Sequence, residues 1–372
     1  MENQDSVCYI NKISSITPIE GADKIELAKV NGWTSIVQKG IHKEGDLVLC
    51  IITDAVIPEE LATKWGVSTY LRKGNRVRTV KLKGVYSECV LIPIFDIPTY
   101  GHKTEGMDMM ANLGIFKYEE PVREVVLAGG KRVLQRDNPH FNKYYKFPNI
   151  KNVPNIFSAI DYVVITRKIH GTNARYGIVK KAKITIWDRI KKFFGDKYAY
   201  HEYVYGSHNV IKGSDTNGFY SVDVWADVAK RYNIKEKLWE VFKNSFNDIE
   251  GIIIYGEIYG PGIQGEKYTY GEKEHTLALF DIEINGKYVE RALFEHYTIF
   301  QLKLPTVDVL WEGFYDESTI ENYVNNQYIL GTNIPHEGIV ISEISGDRHK
   351  ICKKINPEYH TFAEKHLVPD GH

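Results

Sequence analysis

The strongest constraint on this chain is a change of pattern part-way along it. Up to about residue 115 the sequence reads as short apolar runs, at 25–30, 33–37, 47–52, 77–83 and 89–94, punctuated by Gly32, Gly40, Gly45, Gly74 and Gly84. Runs of that length between turn residues predict strands, with a helix only around 59–65. So many short strands in so little chain predict a small β-barrel, and an OB-type barrel fits the length and strand count. Residues 116–154 read as a connector, rich in charge, with Gly129–Gly130 and a run of aromatics and prolines that suggests a partly ordered strap. From residue 155 the runs lengthen and alternate with helical spacing. Strands are expected at 162–165, 251–256, 276–284, 338–341 and 350–355, and a helix over 221–244. The expected class is α+β: an OB-like barrel over 1–115, then a second α+β domain over 155–372 with antiparallel sheets.

Composition narrows the function classes. With 47 Lys and Arg against 48 Asp and Glu, the chain is no bulk polycation, so a nucleic-acid surface must be a local patch. The four cysteines, Cys8, Cys50, Cys89 and Cys352, have no metal-ligand spacing and read as small buried hydrophobes. No secretory leader is visible, and no apolar run reaches the roughly 18 residues of a membrane span. A cytoplasmic protein without a membrane partner is expected.

One local patch stands out at 71–84, LRKGNRVRTVKLKG, which holds Arg72, Lys73, Arg76, Arg78, Lys81 and Lys83 and no acid. On a strand, Arg76 and Arg78 share one face and Lys81 and Lys83 the other, unless a bulge realigns them. These four are the expected nucleic-acid contacts; a solvated strand is the plain alternative.

The chemistry-bearing residues begin at Lys168-Ile169-His170-Gly171-Thr172-Asn173-Ala174-Arg175. A lysine at a strand end beside a glycine can be presented at a cleft floor, with Gly171 allowing a bulky ligand close to the backbone. Thr172 and Asn173 offer groups for sugar or phosphate oxygens. A nucleophilic lysine must be neutral, which desolvation or neighbouring charge favours; Arg167, Arg175 or a metal are the available sources. Further on, Glu257 stands between glycines and aromatics in IIIYGEIYG, where a buried carboxylate needs a partner. In LALFDI the period of two puts Phe280 and Asp281 on opposite faces, Phe280 being a platform for a base. Glu337 opens a β-branched strand, and KICKKINPEY brings Lys353 and Lys354. Read singly, each has a bland explanation: a surface lysine, a core phenylalanine, a solvated glutamate. As a set, carboxylates for a hard cation and lysines for phosphate charge suit phosphoryl-group chemistry.

The order Lys168-Ile-His-Gly-Thr-Asn, Tyr255-Gly-Glu-Ile, Phe280-Asp-Ile, Glu337-Gly-Ile-Val, then Lys353 and Lys354 resembles the collinear motifs of the covalent nucleotidyltransferases: DNA ligases, RNA ligases and mRNA capping enzymes. His170 in place of the commoner aspartate, the Gly-Thr-Asn that follows and the run from Gly256 to Gln264 resemble the phage RNA ligase 2 branch. The resemblance covers about 155–365. It implies an ATP-dependent ligase joining 3′-OH and 5′-phosphate RNA ends through lysyl-AMP, with Mg²⁺ or Mn²⁺, acting at nicks in RNA repair. Lys168 would be the nucleophile. Ile169, Asn173, Arg175, His208, Glu257, Phe280 and Glu337 would bind the nucleotide, Asn173 also touching the RNA end, Glu257 the ribose and Phe280 the adenine. Glu337 and Glu257 would hold the metal, and Lys353 and Lys354 the phosphate. His208 stands where such ligases often carry arginine, and the basic stretch 180–197 looks like an insertion, either gripping RNA or forming a solvated amphipathic helix.

The N-terminal barrel, more loosely matched, fits RNA ligases that carry an OB-type domain ahead of the catalytic one. Only a short tail follows Lys354, so a barrel behind it is not expected. Three alternatives stay open: a DNA ligase or capping enzyme, a non-catalytic RNA-binding protein on this scaffold, and a tRNA-binding factor built on the barrel.

Overall fold

The structure is a computed structural model that describes residues 6–72, 74–98, 101–118, 138–214, 223–244, 249–263, 267–344 and 350–366. Lys73, Gln264 and most of the expected connector, Gly129 and Gly130 included, lie outside these residues. The chain divides into two compact units. One holds the described residues up to 118 with 147–159 and 352–366; the other holds 138–146 and 160–351. The stretch read as a connector is thus shared between the two.

In the first unit the strands are β1 (Cys8–Lys12), β2 (Ser15–Pro18), β3 (Ile25–Val30), β4 (Trp33–Gln38), β5 (Leu47–Ile52), β6 (Ala55–Val56), β7 (Val80–Leu82), β8 (Val85–Ser87), β9 (Cys89–Pro93) and β10 (Phe116–Lys117), with helices α1 (Glu59–Lys64) and α2 (Met110–Leu113). They form short antiparallel sheets, β1-β5-β9, β2-β3-β4, β7-β8 and β10-β6. The sheets are stitched to one another: Glu88 N–H donates to the Thr34 carbonyl at 2.7 Å and Ser14 N–H to that of Lys29 at 2.8 Å. Alternation along β4 sends Trp33, Ser35 and Val37 inward, onto a core that includes Ile10, Leu49 and Ile51.

The segment 147–159 belongs to this body. Lys151 forms a buried ion pair with Glu88 at 2.5 Å, and Trp33 Nε1 donates to Asn152 Oδ1 at 2.8 Å. A Cβ on Gly32 would lie 2.8 Å from the Lys151 Cα, so only glycine admits the strap at that point.

The second unit contains β11 (Tyr162–Lys168), β12 (Thr172–Lys180), α3 (Ile186–Phe193), β13 (His201–Gly206), β14 (Ile211–Ser214), α4 (Val224–Arg231), α5 (Ile234–Asn244), β15 (Ile252–Tyr259), β16 (Thr276–Ile284), β17 (Lys287–Tyr288), α6 (Arg291–Glu295), β18 (Val309–Phe314), α7 (Glu317–Val324) and β19 (Gly338–Glu343). The helix expected over 221–244 is two helices, broken at Asn233, whose φ of 53° no helix interior adopts. Residues 221–222 lie outside the described set. The strand β20 (Ile351–Ile355) crosses between the units, and α8 (Pro357–Lys365) follows it.

Two antiparallel arrays matter for the site: β18-β11-β19, and the six-stranded β14-β13-β12-β15-β16-β17. Strand alternation gives the larger sheet two unlike faces. Ala174, Tyr176, Ile178, Ile252, Ile254, Ile258, Leu277, Leu279 and Ile282 pack with Val228, Leu238 and Phe242 of the helices in one core. The other face carries the polar residues, Asn173 paired across to Glu257 and Arg175 to Tyr255.

Candidate active site

Register alone builds the centre of the site. Lys168 ends β11 directly opposite Gly338 of β19, so Glu337, one residue earlier, falls beside it. Lys168 Nζ lies 2.5 Å from Glu337 Oε1, with the lysine side chain 22% and the glutamate 3% exposed. The chain then leaves one sheet for the other across Gly171. A Cβ there would lie 2.4 Å from the Ile258 carbonyl oxygen and 2.8 Å from Glu257 Cγ. The glycine is therefore required by the neighbouring strand. That contact seats Glu257 next to Lys168.

Burial pushes the Glu257 carboxyl up to about 8, over the opposing pull of the Lys168 ammonium; the like charge of Glu337 adds to the rise, and the Gly171 N–H opposes it. Across from Glu257, the Asn173 Oδ1 is buried with no hydrogen-bond partner among the described residues, although its backbone carbonyl accepts from Trp225 Nε1 at 3.0 Å. A buried amide oxygen without a donor is costly, and a ligand hydroxyl would supply one. Ile169 is half-buried beside the lysine.

His170 is fully buried. Its backbone N–H donates to the Tyr270 hydroxyl at 2.8 Å, and its ring meets Tyr268 edge-on at 4.5 Å between centroids. Tyr270 in turn stacks on His336, and burial followed by the Arg167 charge lowers His336 to about 4. Sequence reasoning missed Tyr268, Tyr270 and His336. The spacing of the tyrosines in KYTYG was the available signal.

Phe280 corrects an expectation. The β15–β16 register shifts so that Tyr255 opposes Asp281 while Gly256 opposes Leu279, leaving Phe280 as the extra residue of a β-bulge. The period of two fails there, and Phe280 and Asp281 both meet Tyr144. The Tyr144 ring lies edge-on to Phe280 at 4.9 Å, and its hydroxyl donates to Asp281 Oδ2 at 2.9 Å. Tyr144 belongs to the segment 138–146, part of the stretch expected to form a partly ordered strap, although Tyr144 itself is not among the residues expected at the site. The strap also sets Asn142 on Glu283 at 2.6 Å.

Arg175 is a second correction. It is 3% exposed, donates to the carbonyls of Phe141 and Ser207 at 2.5 and 2.9 Å, and lies over the Phe141 ring at 4.2 Å. Its guanidinium is turned to main-chain carbonyls. Arg167 is likewise paired, with Asp308 at 3.3 Å. His208 is half-buried; burial and the charges of Arg175, Lys143 and Lys146 lower its basicity.

The basic segment is the third correction. The strand spans only Val80–Leu82, so Arg76 and Arg78 do not share a strand face. Arg76 is 8% exposed, paired with Asp54 through Nε at 2.9 Å and through Nη2, and stacked on Tyr118 at 4.2 Å. A guanidinium so held is a structural pin. Arg78 donates to the Tyr70 carbonyl at 3.2 Å and is half-buried. Lys81 lies over Tyr86, and Lys83, at φ 51°, occupies the hairpin turn; both are exposed. In the same unit, Lys353 is half-buried and Lys354 buried on adjacent positions of β20, and the Lys353 backbone N–H donates to the Pro148 carbonyl at 2.9 Å.

An amine held between two carboxylates, with a buried amide oxygen lacking a donor and an aromatic ring on the same face, is equipment for transfer of a nucleotidyl group. A model of the RNA ligase family matches residues 161–355, more than half the chain, and a model of an OB-fold domain matches residues 7–94. The chain belongs to the RNA ligase family, with an OB-fold domain ahead of the ligase region. No curated protein sequence matches it.

Solved structures match over nearly the whole length. A Naegleria gruberi RNA ligase variant with AMP and Mn is 22% identical, covering 96% of this chain and 99% of that one, with a TM-score of 0.73. Another variant of the same enzyme, with ATP and Mn, is 22% identical, covers 96% and 99%, and gives 0.72. The same ligase with pyrophosphate is 23% identical, covers 97% and 99%, and gives 0.70. At this identity the likeness establishes the shared fold.

Proposed function

We propose that the chain is an ATP-dependent RNA ligase that seals a 3′-OH to a 5′-phosphate at breaks in RNA, with Lys168 as the nucleophile. The observation that carries this reading is the contact of Lys168 Nζ with Glu337 at 2.5 Å, beside a second carboxylate, Glu257, whose basicity burial raises. The Naegleria structures with AMP, ATP and pyrophosphate fit such a site.

In the first step Lys168 Nζ attacks the α-phosphorus of ATP. A P–N bond forms, the P–O bond to pyrophosphate breaks, and Glu337 is the nearest acceptor for the proton the amine must lose. AMP then passes to the RNA 5′-phosphate, freeing the lysine, and the 3′-OH displaces AMP to leave a phosphodiester. Asn173 Oδ1 and Glu257 accept ribose hydroxyls, Phe280 stacks on adenine, Ile169 packs beside it, and His208 hydrogen-bonds without carrying charge. Lys354 and Lys353 keep the role the motif order gives them, offsetting phosphate charge.

The donor set fits a hard divalent cation. Two carboxylates, Glu337 and Glu257, meet the preference of Mg²⁺ or Mn²⁺ for few protein oxygens, the rest coming from water or phosphate. When bound, the cation supplies charge neutralisation for the phosphates.

Lys81 and Lys83, exposed on the hairpin, are the proposed RNA-backbone contacts of the OB-fold domain, with Arg78 behind them. Arg76 is not among them. The four free, buried cysteines fit a reducing cytoplasm. Among the described residues no helix is long and apolar enough to cross a membrane.

Intact-mass measurement after incubation with ATP and Mg²⁺ tests the reading. The protein should gain the mass of one AMP, and Lys168→Ala should not. An unmodified wild-type protein, or a modified Lys168→Ala, would overturn it; GTP serving better than ATP would favour a capping-type enzyme.

A further inference from the structure

Helix α3 is mounted with its apolar side to solvent. It lies in the excursion between β12 and β13, at the end of β12 remote from the nucleophile, after roughly 27 Å of extended strand. At about 100° per residue, Phe193, Ile186, Ile190, Phe194 and Trp187 share one arc of about a third of the helix. Phe193 is 85% exposed, Phe194 81%, Ile186 76% and Trp187 72%. The opposite side is fastened down. Asp188, 5% exposed, accepts from Lys181 Nζ at 2.5 Å and from the Thr185 N–H and hydroxyl at 2.8 and 2.7 Å. Lys181 also donates to the Ala199 carbonyl at 2.8 Å.

Surface helices of globular domains do the reverse, packing the apolar stripe on the core and leaving the charges in water. A contiguous outward patch of this kind marks a contact surface. Its rim is cationic. Residues 180–197 hold seven lysines and arginines against two aspartates, and Asp188 is consumed in the helix cap. Arg189 and Lys191 flank the apolar arc, and Lys183 precedes it, all exposed.

We propose that α3 is an interfacial helix that seats this ligase on an anionic lipid surface, its aromatic and isoleucine side chains entering the headgroup boundary and Lys183, Arg189 and Lys191 meeting lipid phosphates. The segregation of apolar from basic residues, with Trp and Phe on one side and Lys and Arg around it, is the pattern such helices need, and the basic rim complements an anionic leaflet. A single-strand RNA platform instead sets cations along the backbone track and takes bases on aromatic rings. Two of the five residues on this arc are isoleucines, which do not stack. A second copy of the same face would oppose two cationic rims with no outward acid on the arc to balance them. At eight residues the helix is about 12 Å long, so it lies on a bilayer and does not cross one.

The test uses the full-length chain and vesicles of phosphatidylcholine, with and without phosphatidylserine. Wild type should co-sediment with the serine-containing vesicles, less so at high salt and little with pure phosphatidylcholine. W187S/F193S/F194S should bind them roughly tenfold more weakly or worse while still taking AMP on Lys168, which reports an intact fold. Phe194→Ser alone answers the question if the triple variant does not fold. No binding by wild type, or equal binding by the variants, overturns the proposal. So does a variant whose RNA affinity falls while vesicle binding is absent, or a wild-type dimer that the substitutions dissolve.

Discussion

Among the described residues two lysine–glutamate pairs of the same length, one in each unit, sit in unlike surroundings. In the N-terminal unit Lys151 meets both oxygens of Glu88 at 2.6 and 2.5 Å, with side chains 10% and 6% exposed. The Trp33 ring covers the ammonium at 5.0 Å, and Thr34 donates its hydroxyl to Glu88 at 3.3 Å. Both carboxylate oxygens are engaged, and the pair fastens a strap to a barrel. In the second unit Lys168 meets one oxygen of Glu337 at 2.5 Å and is more exposed. Its neighbours are a carboxylate with raised basicity and an amide oxygen without a donor. Burial and distance do not separate a joint from a site; the unmet demand around the pair does.

The contrast is broken most severely by exchanging the fates of the two lysines. Lys168→Ala should lose all measurable AMP transfer, read by mass, with a folded far-UV spectrum. Lys151→Ala should keep the AMP adduct but lose about 3 kcal/mol of stability by denaturant unfolding, because Glu88 is left charged and buried. If Lys151→Ala unfolds at the wild-type midpoint, the joint reading is wrong.

The next effect is on pH. Burial holds Glu257 up to about 8 against an ordinary value of 4.5. Between those values the folded state keeps a proton that the unfolded chain has released. Stability from this group is therefore complete below 4.5 and is lost as pH rises through 8, at a limit of about 1.4 kcal/mol per pH unit. Glu257→Gln removes the titration, so the wild type should lose ground to the variant as pH rises from about 5 to 8. Parallel pH profiles would show that Glu257 is not held protonated. A smaller change is expected from Tyr144→Phe, which keeps the ring against Phe280 but loses the hydrogen bond to Asp281. It should raise the KM for ATP several-fold with kcat nearly unchanged, whereas Phe280→Ala should weaken ATP use further. Equal KM values in all three proteins would separate the ring from the nucleotide.

These outcomes bear on what could be read before any fold was known. The order of the motifs, the strand-end position of Lys168 and the antiparallel sheets were legible, because each is local: an apolar run, a glycine, a carboxylate beside it. What escaped depends on partners distant in sequence. The bulge that turns Phe280 and Asp281 to the same tyrosine is set by the register against Tyr255 and Gly256. The need for Gly171 comes from the carbonyl of Ile258. Arg76 looked like part of a basic face because Asp54, its partner, sits 22 residues away, and no charge pattern within the segment points to it. The strap carrying Tyr144 was legible as partly ordered from its aromatics and prolines, but its place was not, since its contacts are with Asp281 and Glu283.

The smallest expected effect tests that last distinction on the OB-fold domain. If Lys81 and Lys83 contact RNA phosphates, K81A/K83A should lower the slope of log affinity against log salt by about 0.7 to 0.9 for each ion pair lost, and should weaken all RNA sequences alike. Arg76→Ala should behave differently. It strips Asp54 of its partner in a buried setting, so it should lower the unfolding midpoint while leaving the salt slope of the surviving folded protein unchanged. The two substitutions lie a few residues apart in one basic run, and only the three-dimensional pairing predicts that they separate. A lowered slope in Arg76→Ala with an unchanged midpoint would return Arg76 to the binding face and remove the pin.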